Sequence, residues 1–243
     1  MKLSTAFTYR LKYQFKSLGF FFGYFCLFAI VFPLVGMLIA GTNTQVNSDA
    51  LFASFVFIFI IALFGVGSDF KLFIQNGMSR NNIYLSYLIS NATISALLAG
   101  ILIVFKLITN NLLTQNFRIT LFLSDLYSGN NYWSGFLFLF LFFFFAASLA
   151  SVVGIFNDRV TGYKKMVILA TLVIIPIIFG LILQLGGNSF RISVLNFFKT
   201  ILGITSEGFN ILPISLTLTI SILTLSIITF LMNHKREIRR IND

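Results

Sequence analysis

Apolar residues gather into six long blocks, at roughly 18–40, 50–67, 83–108, 135–156, 166–186 and 211–232, separated by polar connections. An α-helix needs about 20 apolar residues to cross the hydrocarbon core of a bilayer. The pattern therefore predicts an all-α membrane protein with six transmembrane helices. The connections hold no second core, and residues 1–243 are expected to form a single transmembrane domain.

The polar connections differ in kind. Ahead of the first block, Leu3, Phe7, Leu11 and Phe15 recur every four residues with Lys2, Arg10, Lys12 and Lys16 between them. This predicts an amphipathic interfacial helix over 1–17, apolar side down in the headgroup plane and basic side toward water. The first block is longer than the apolar region of a signal peptide, and Leu38-Ile39-Ala40 is a poor cleavage site, so it is expected to stay as a helix. Residues 109–134 read as a loop whose Tyr127, Tyr132 and Trp133 suit an aromatic belt at the membrane surface. Residues 187–210 are too apolar for a free loop, yet Arg191 and Lys199 keep them from spanning. A re-entrant segment broken near Gly203 and Gly208 is expected there, lying at partial depth under protein cover.

Composition strengthens the membrane reading. The chain is 58% hydrophobic and 10% charged, with a mean hydropathy of +0.94, outside the range of soluble domains. Of its 17 basic residues, all but Lys106, Arg118, Arg191 and Lys199 lie on the N-terminal arm, the second and fourth connections or the C-terminal tail. With an even number of spans these share one side, which the positive-inside rule makes the cytoplasm. The expected location is thus the cell membrane, multi-pass, with both termini cytoplasmic. The net charge of +10 is dispersed over segments facing anionic headgroups, so no nucleic-acid partner is expected.

Chemistry is excluded more than indicated. The single cysteine, Cys26, falls inside the first block, where it has no pairing or metal partner in the chain. One histidine and seven acids assemble no catalytic set, no metal site and no phosphate-binding loop, so the chain is not expected to be an enzyme. The block centres hold no acid and no histidine, which argues against ion-coupled transport. Ser86, Ser90 and Thr93 on the third block and Thr217, Ser221 and Thr224 on the sixth form hydroxyl stripes. They are candidates to line a substrate path, although interhelical hydrogen bonds explain them as well. Ala146, Ala150 and Gly154 make a small-residue face for close helix packing, and Pro33 and Pro176 fall mid-block where a helix would kink.

The connection at 69–82 is the most informative segment. Lys71, Phe73, Ile74, Gln75, Asn76, Gly77, Met78, Ser79 and Arg80 mix charge, amide and apolar groups on the basic side. Gly77 permits a sharp turn, Arg80 can meet an acidic cleft, and Phe73 and Met78 can fill an apolar pocket on a partner.

The order of elements, with Gln75-Asn76-Gly77-Met78-Ser79-Arg80 at the second-to-third connection, resembles the permease subunit of an ABC type-2 exporter. Among such permeases the chain is most similar to those that export amphipathic cytolytic peptides. The resemblance implies that 69–82 is a cytoplasmic coupling loop docking on a separate ABC ATPase subunit. ATP and Mg would be bound by that partner, with no cofactor in this chain. It also implies a second permease copy and an amphipathic peptide as substrate. An exporter of lipid-linked glycan or drugs, a non-transporting peptide-immunity membrane protein, and a membrane enzyme or ion carrier remain the competing readings.

Overall fold

The computed structural model describes residues 2–40, 46–112, 117–129, 131–206, 208–234 and 236. They form α1 (Lys2–Cys26), a π-helical turn (Leu27–Val31), α2 (Phe32–Ala40), β1 (Val46–Asp49), α3 (Leu51–Gln75) and α4 (Arg80–Leu112). Then follow β2 (Phe117–Thr120), α5 (Phe122–Ser128), α6 (Tyr132–Arg159), α7 (Gly162–Leu185), α8 (Gly187–Leu202), β3 (Ile204–Thr205), β4 (Gly208–Phe209) and α9 (Ile211–His234). Five of these helices, α3, α4 up to Ile108, α6, α7 and α9, are long and apolar enough to cross a membrane.

The helix α6 is the axis of the bundle, packing on α3, α4 and α9. Its polyphenylalanine stretch turns Phe138 and Phe143 inward, and Ala146, Ala147 and Ala150 below them are fully buried. Hydrophobic burial does not drive helices together in lipid, so association depends on close packing of small residues. Gly154 shows this on the α3 side, where a Cβ would sit 3.2 Å from both the Leu63 carbonyl oxygen and the Val66 Cβ. The helix begins at Asn131, whose side-chain oxygen accepts hydrogen bonds from the backbone N–H groups of Trp133 and Ser134.

Several elements depart from the sequence pattern. Residues 1–17 and the first block are not separate, because α1 runs unbroken from Lys2 through Ser17 to Cys26. The register widens only at Leu27–Val31, where the Phe32 N–H bonds to the Leu27 carbonyl, just ahead of Pro33, which has no N–H to continue the ladder. The 109–134 connection is not simply a loop. It holds β2, paired in parallel with β1 across some 70 residues of chain, and α5. There Lys106 pairs with Asp125 at 2.5 Å, and Asp125 also accepts from the Leu121 N–H. Pro176 lies inside α7, which continues through it.

The 187–210 segment is one helix and a tight hairpin rather than two half-helices. Arg191 of α8 donates to the carbonyls of Leu183 and Gln184 at the end of α7, both at 2.9 Å, satisfying acceptors that a helix terminus leaves open. Gly203 ends α8 in the left-handed region. The helix α7 has no buried residue, and the Lys165 ammonium at its start donates to the Asn157 side chain of α6.

The bundle consequently has two unlike ends. One carries β1, β2, α5 and α8. At the other, the start of α1, the α3–α4 corner, the α6–α7 connection and Arg236 come together. We call the latter the basic end.

Candidate functional site at the α3–α4 corner

The corner between α3 and α4 is built by backbone rules that the sequence states locally. Gly77 takes φ 69°, the left-handed geometry that an L side chain disfavours. Its N–H donates to the Ile74 carbonyl at 2.9 Å, and the Met78 N–H donates to the Phe73 carbonyl at 3.0 Å. These two bonds define a Schellman stop, whose usual companion is an apolar contact between the residues at the Met78 and Phe73 positions. Both side chains lie in one buried cluster with Ala6, Phe70, Ile83 and Tyr87. Ser79 then starts α4, its hydroxyl accepting from the Asn82 N–H at 3.3 Å. Only Asn76 to Ser79 lie outside the helices.

This geometry redistributes the proposed docking residues. Lys71, Gln75, Asn76, Gly77, Ser79 and Arg80 are exposed, and Ile74 is half-buried. Phe73 and Met78 are 6% and 7% exposed, so they close the corner from within and cannot enter a partner's pocket. Leu72, which the sequence reading passed over, is the exposed apolar group. Arg80 is held to α9: its guanidinium donates to the His234 carbonyl at 2.7 Å, and Asn233 donates back to the Arg80 carbonyl at 3.0 Å. A groove of about 380 Å3 runs beside the corner, lined by Thr5, Tyr9, Leu72 and Asn76 together with Phe73 and Met78.

Behind the corner lies a buried polar lock. Arg10, predicted to face headgroups, is 2% exposed and enters the bundle. Its guanidinium donates to Asp69 and Ser90 at 3.0 Å each, to the Gly65 carbonyl at 3.3 Å and to Asn91 at 3.4 Å, and its carbon lies 4.1 Å from the Tyr87 ring centre. Gln14, one turn along α1, also donates to Asn91, and Asn91 donates to Ser151 of α6. The buried stripe of α1 is thus Ala6, Arg10, Gln14 and Leu18; Leu3, Phe7 and Leu11 are half-buried and Phe15 is exposed.

A second arginine arrives from the opposite end of the chain. Arg236 donates to Asp158 and, at 3.2 Å, to the Val66 carbonyl, and lies 3.9 Å over the Phe70 ring. The Tyr87 hydroxyl also donates to the Val66 carbonyl. Two arginines, one near each terminus, therefore hold the carbonyls of consecutive residues, Gly65 and Val66, about three turns before the corner. Each is desolvated and each is matched by an aspartate and an aromatic face, the arrangement a buried charge requires.

The hydroxyl stripes do not line one path. Ser86 and Ser90 are buried and bond to carbonyls of their own helix, with Ser90 also receiving Arg10. Thr93 and Thr224 donate to Ile89 and Ile220, one turn back on their own helices, and Thr224 is exposed. Thr217 reaches the Ile201 carbonyl and ties α9 to α8, while Ser221 is half-buried. A different polar seam crosses the bundle, through Asn91, Ser148, Ser151, Ser226 and Thr229, and leaves only a narrow void of about 20 Å3.

No protein-family model, curated protein or solved structure matches this chain. Among the described residues no group of three or more histidines, cysteines or acids could hold a metal.

Proposed function

We propose that the chain is the permease subunit of an ATP-driven ABC exporter and that the α3–α4 corner is where a separate ATPase subunit engages it. The observation that supports this most is mechanical. The corner presents Lys71, Leu72, Gln75 and Asn76 to water, yet its backbone is fixed by the Schellman stop, the Ser79 cap and the ties from Arg80 to α9. A push on it would reach α3 and α4 directly and α1, α6 and α9 through the arginine lock.

In this reading the basic end faces the cytoplasm, as the positive-inside rule requires. The 18–40 part of the continuous N-terminal helix supplies the first crossing, and α3, α4, α6, α7 and α9 supply the other five. The amphipathic α8, with Phe197, Leu195 and Ile192 exposed, lies at the outer interface. The uncovered flank of α7 is available to a second copy. An amphipathic peptide suits walls that are apolar with scattered hydroxyls and amides, and ATP with Mg is handled by the partner.

The test uses the permease purified with its ATPase. Turnover of ATP should respond to short amphipathic helical peptides. Lys71→Glu combined with Leu72→Glu, which touches neither the stop nor the lock, should abolish that response while membrane insertion is retained. A response to a glycan lipid but not to peptides moves the substrate to the competing class, and an unaltered response in the double variant removes the corner from the mechanism.

A further inference from the structure

The Schellman stop turns Phe73 and Met78 inward, so the corner offers a partner a hollow rather than an apolar knob. In this groove of about 380 Å3, Phe73 and Met78 form the floor, Thr5 and Tyr9 of α1 one wall, and Leu72 and Asn76 of the corner the other. Tyr9 meets Phe73 edge-on, ring centres 5.9 Å apart, and is itself exposed. Lys12 and Lys16 continue the Thr5–Tyr9 face of α1 at helical spacing, Lys71 precedes Leu72, and all three lysines are exposed. Among the described residues the acids at this end, Asp69 and Asp158, are engaged by Arg10 and Arg236. The groove is therefore apolar within and cationic at its rim.

We propose that the groove is a socket for an apolar side chain carried on an acidic segment of the ATPase subunit, so that α1 and the corner dock together. A large aliphatic or aromatic anchor fills the hollow, and flanking carboxylates meet Lys12 and Lys71. An apolar anchor in a desolvated pocket with a polar rim is the arrangement that concentrates binding energy. Depth favours a water-soluble partner over a lipid. At about 1.5 Å per residue, Tyr9 lies about 13 Å before Leu18, where the first apolar block begins, and Asn76 about 13 Å beyond Gly67, where the second ends. The headgroup layer is only about 5–8 Å thick on each side, so an acyl chain would have to leave the hydrocarbon to enter. A second copy would bring another basic rim, and the tail of this chain sets Arg239 and Arg240 between its two isoleucines. The inference rests on the ATPase-coupled reading above and names what the partner must carry.

The full-length chain in lipid nanodiscs is titrated with its ATPase. Thr5→Trp, an enlargement at an exposed position, fills the hollow and should weaken binding by about thirtyfold or more, the scale of a lost hot spot. Tyr9→Ser, which removes a wall, should do the same and serves if the first variant inserts poorly. Lys12→Glu should slow association and flatten its dependence on salt, whereas Lys164→Glu, the same charge change at the exposed α6–α7 connection, should have much less effect. With p-benzoylphenylalanine in place of Tyr9, illumination should crosslink the chain to an ATPase peptide in which an apolar residue is flanked by Asp or Glu. Unchanged affinity in both groove variants, an equal effect of Lys164→Glu, or crosslinks to lipid, to the chain's own tail or to a second copy would overturn the socket, while ATPase binding to the wild-type chain leaves the coupled reading standing. If no ATP-hydrolysing subunit binds the wild-type chain, that reading falls and the socket with it.

Discussion

Arg10→Met is the substitution that exposes the logic of the basic end most clearly. It keeps the length and apolar stem of the side chain but removes the charge that faces Asp69, whose side chain is 15% exposed. Deleting one member of a buried ion pair strands the other and costs about 3–5 kcal/mol. Four hydrogen bonds to α3 and α4 disappear with it. Arg10→Lys should be milder, since one ammonium can reach Asp69 but cannot fork to Ser90, Asn91 and Gly65 together; two lost bonds amount to about 1–3 kcal/mol. Adding Asp69→Leu to Arg10→Met should restore part of the loss, because the stranded carboxylate is then gone. For a chain of this size each kcal/mol moves the melting midpoint by about 2–4 °C. Loss of the monodisperse peak on size exclusion after heating should therefore come about 6–20 °C earlier in Arg10→Met, and later again in the double variant. A shift under about 2 °C in Arg10→Met, or a double variant as unstable as the two single changes summed, would refute the lock.

Two further outcomes follow from the same end of the molecule. Gly77→Ala should destabilise by about 1–2 kcal/mol, because φ 69° crowds a Cβ against its own carbonyl, while Gly77→Asn should lose less; paired thermal midpoints check the order. Arg236→Gln removes the bonds to Asp158 and Val66 and the contact over Phe70. Since the Asp158 side chain is 33% exposed and water can replace its partner, the loss should be about 1–3 kcal/mol, smaller than for Arg10→Met in the same assay.

The apolar blocks announced most helices because block length and helix length are set by the same hydrocarbon thickness. The helix ends were less legible. α3 continues to Gln75 beyond the expected 67, since Asp69 and Lys71 interrupt the hydropathy but not the hydrogen-bond ladder. Asp69 thus belongs to the bundle, and so does its partner Arg10. Lysine and arginine on an amphipathic helix normally mark its wet face, and that rule failed at Arg10 because Asp69, Ser90 and Asn91, distant in sequence, supply its partners. A signal was present in the four-residue rhythm of Ala6, Arg10, Gln14 and Leu18, which shares one face. The corner held another: Phe73 four residues before Gly77, with Met78 after it, is the Schellman pattern, and it assigns both apolar side chains to the interior. The β1–β2 pairing had no local signal, since its two strands are far apart along the chain.

In the proposed reading the exposed rim of the corner lies in the cytoplasm against an ATPase. Gln75 is exposed on that rim and its side chain takes no part in the stop or the lock. In a Cys26→Ser background, Gln75→Cys should resist an impermeant maleimide in intact cells, react after permeabilisation, and crosslink in native membranes to a subunit that binds and hydrolyses ATP. Labelling in intact cells, or crosslinking that never includes an ATP-hydrolysing subunit, would exclude this placement of the corner.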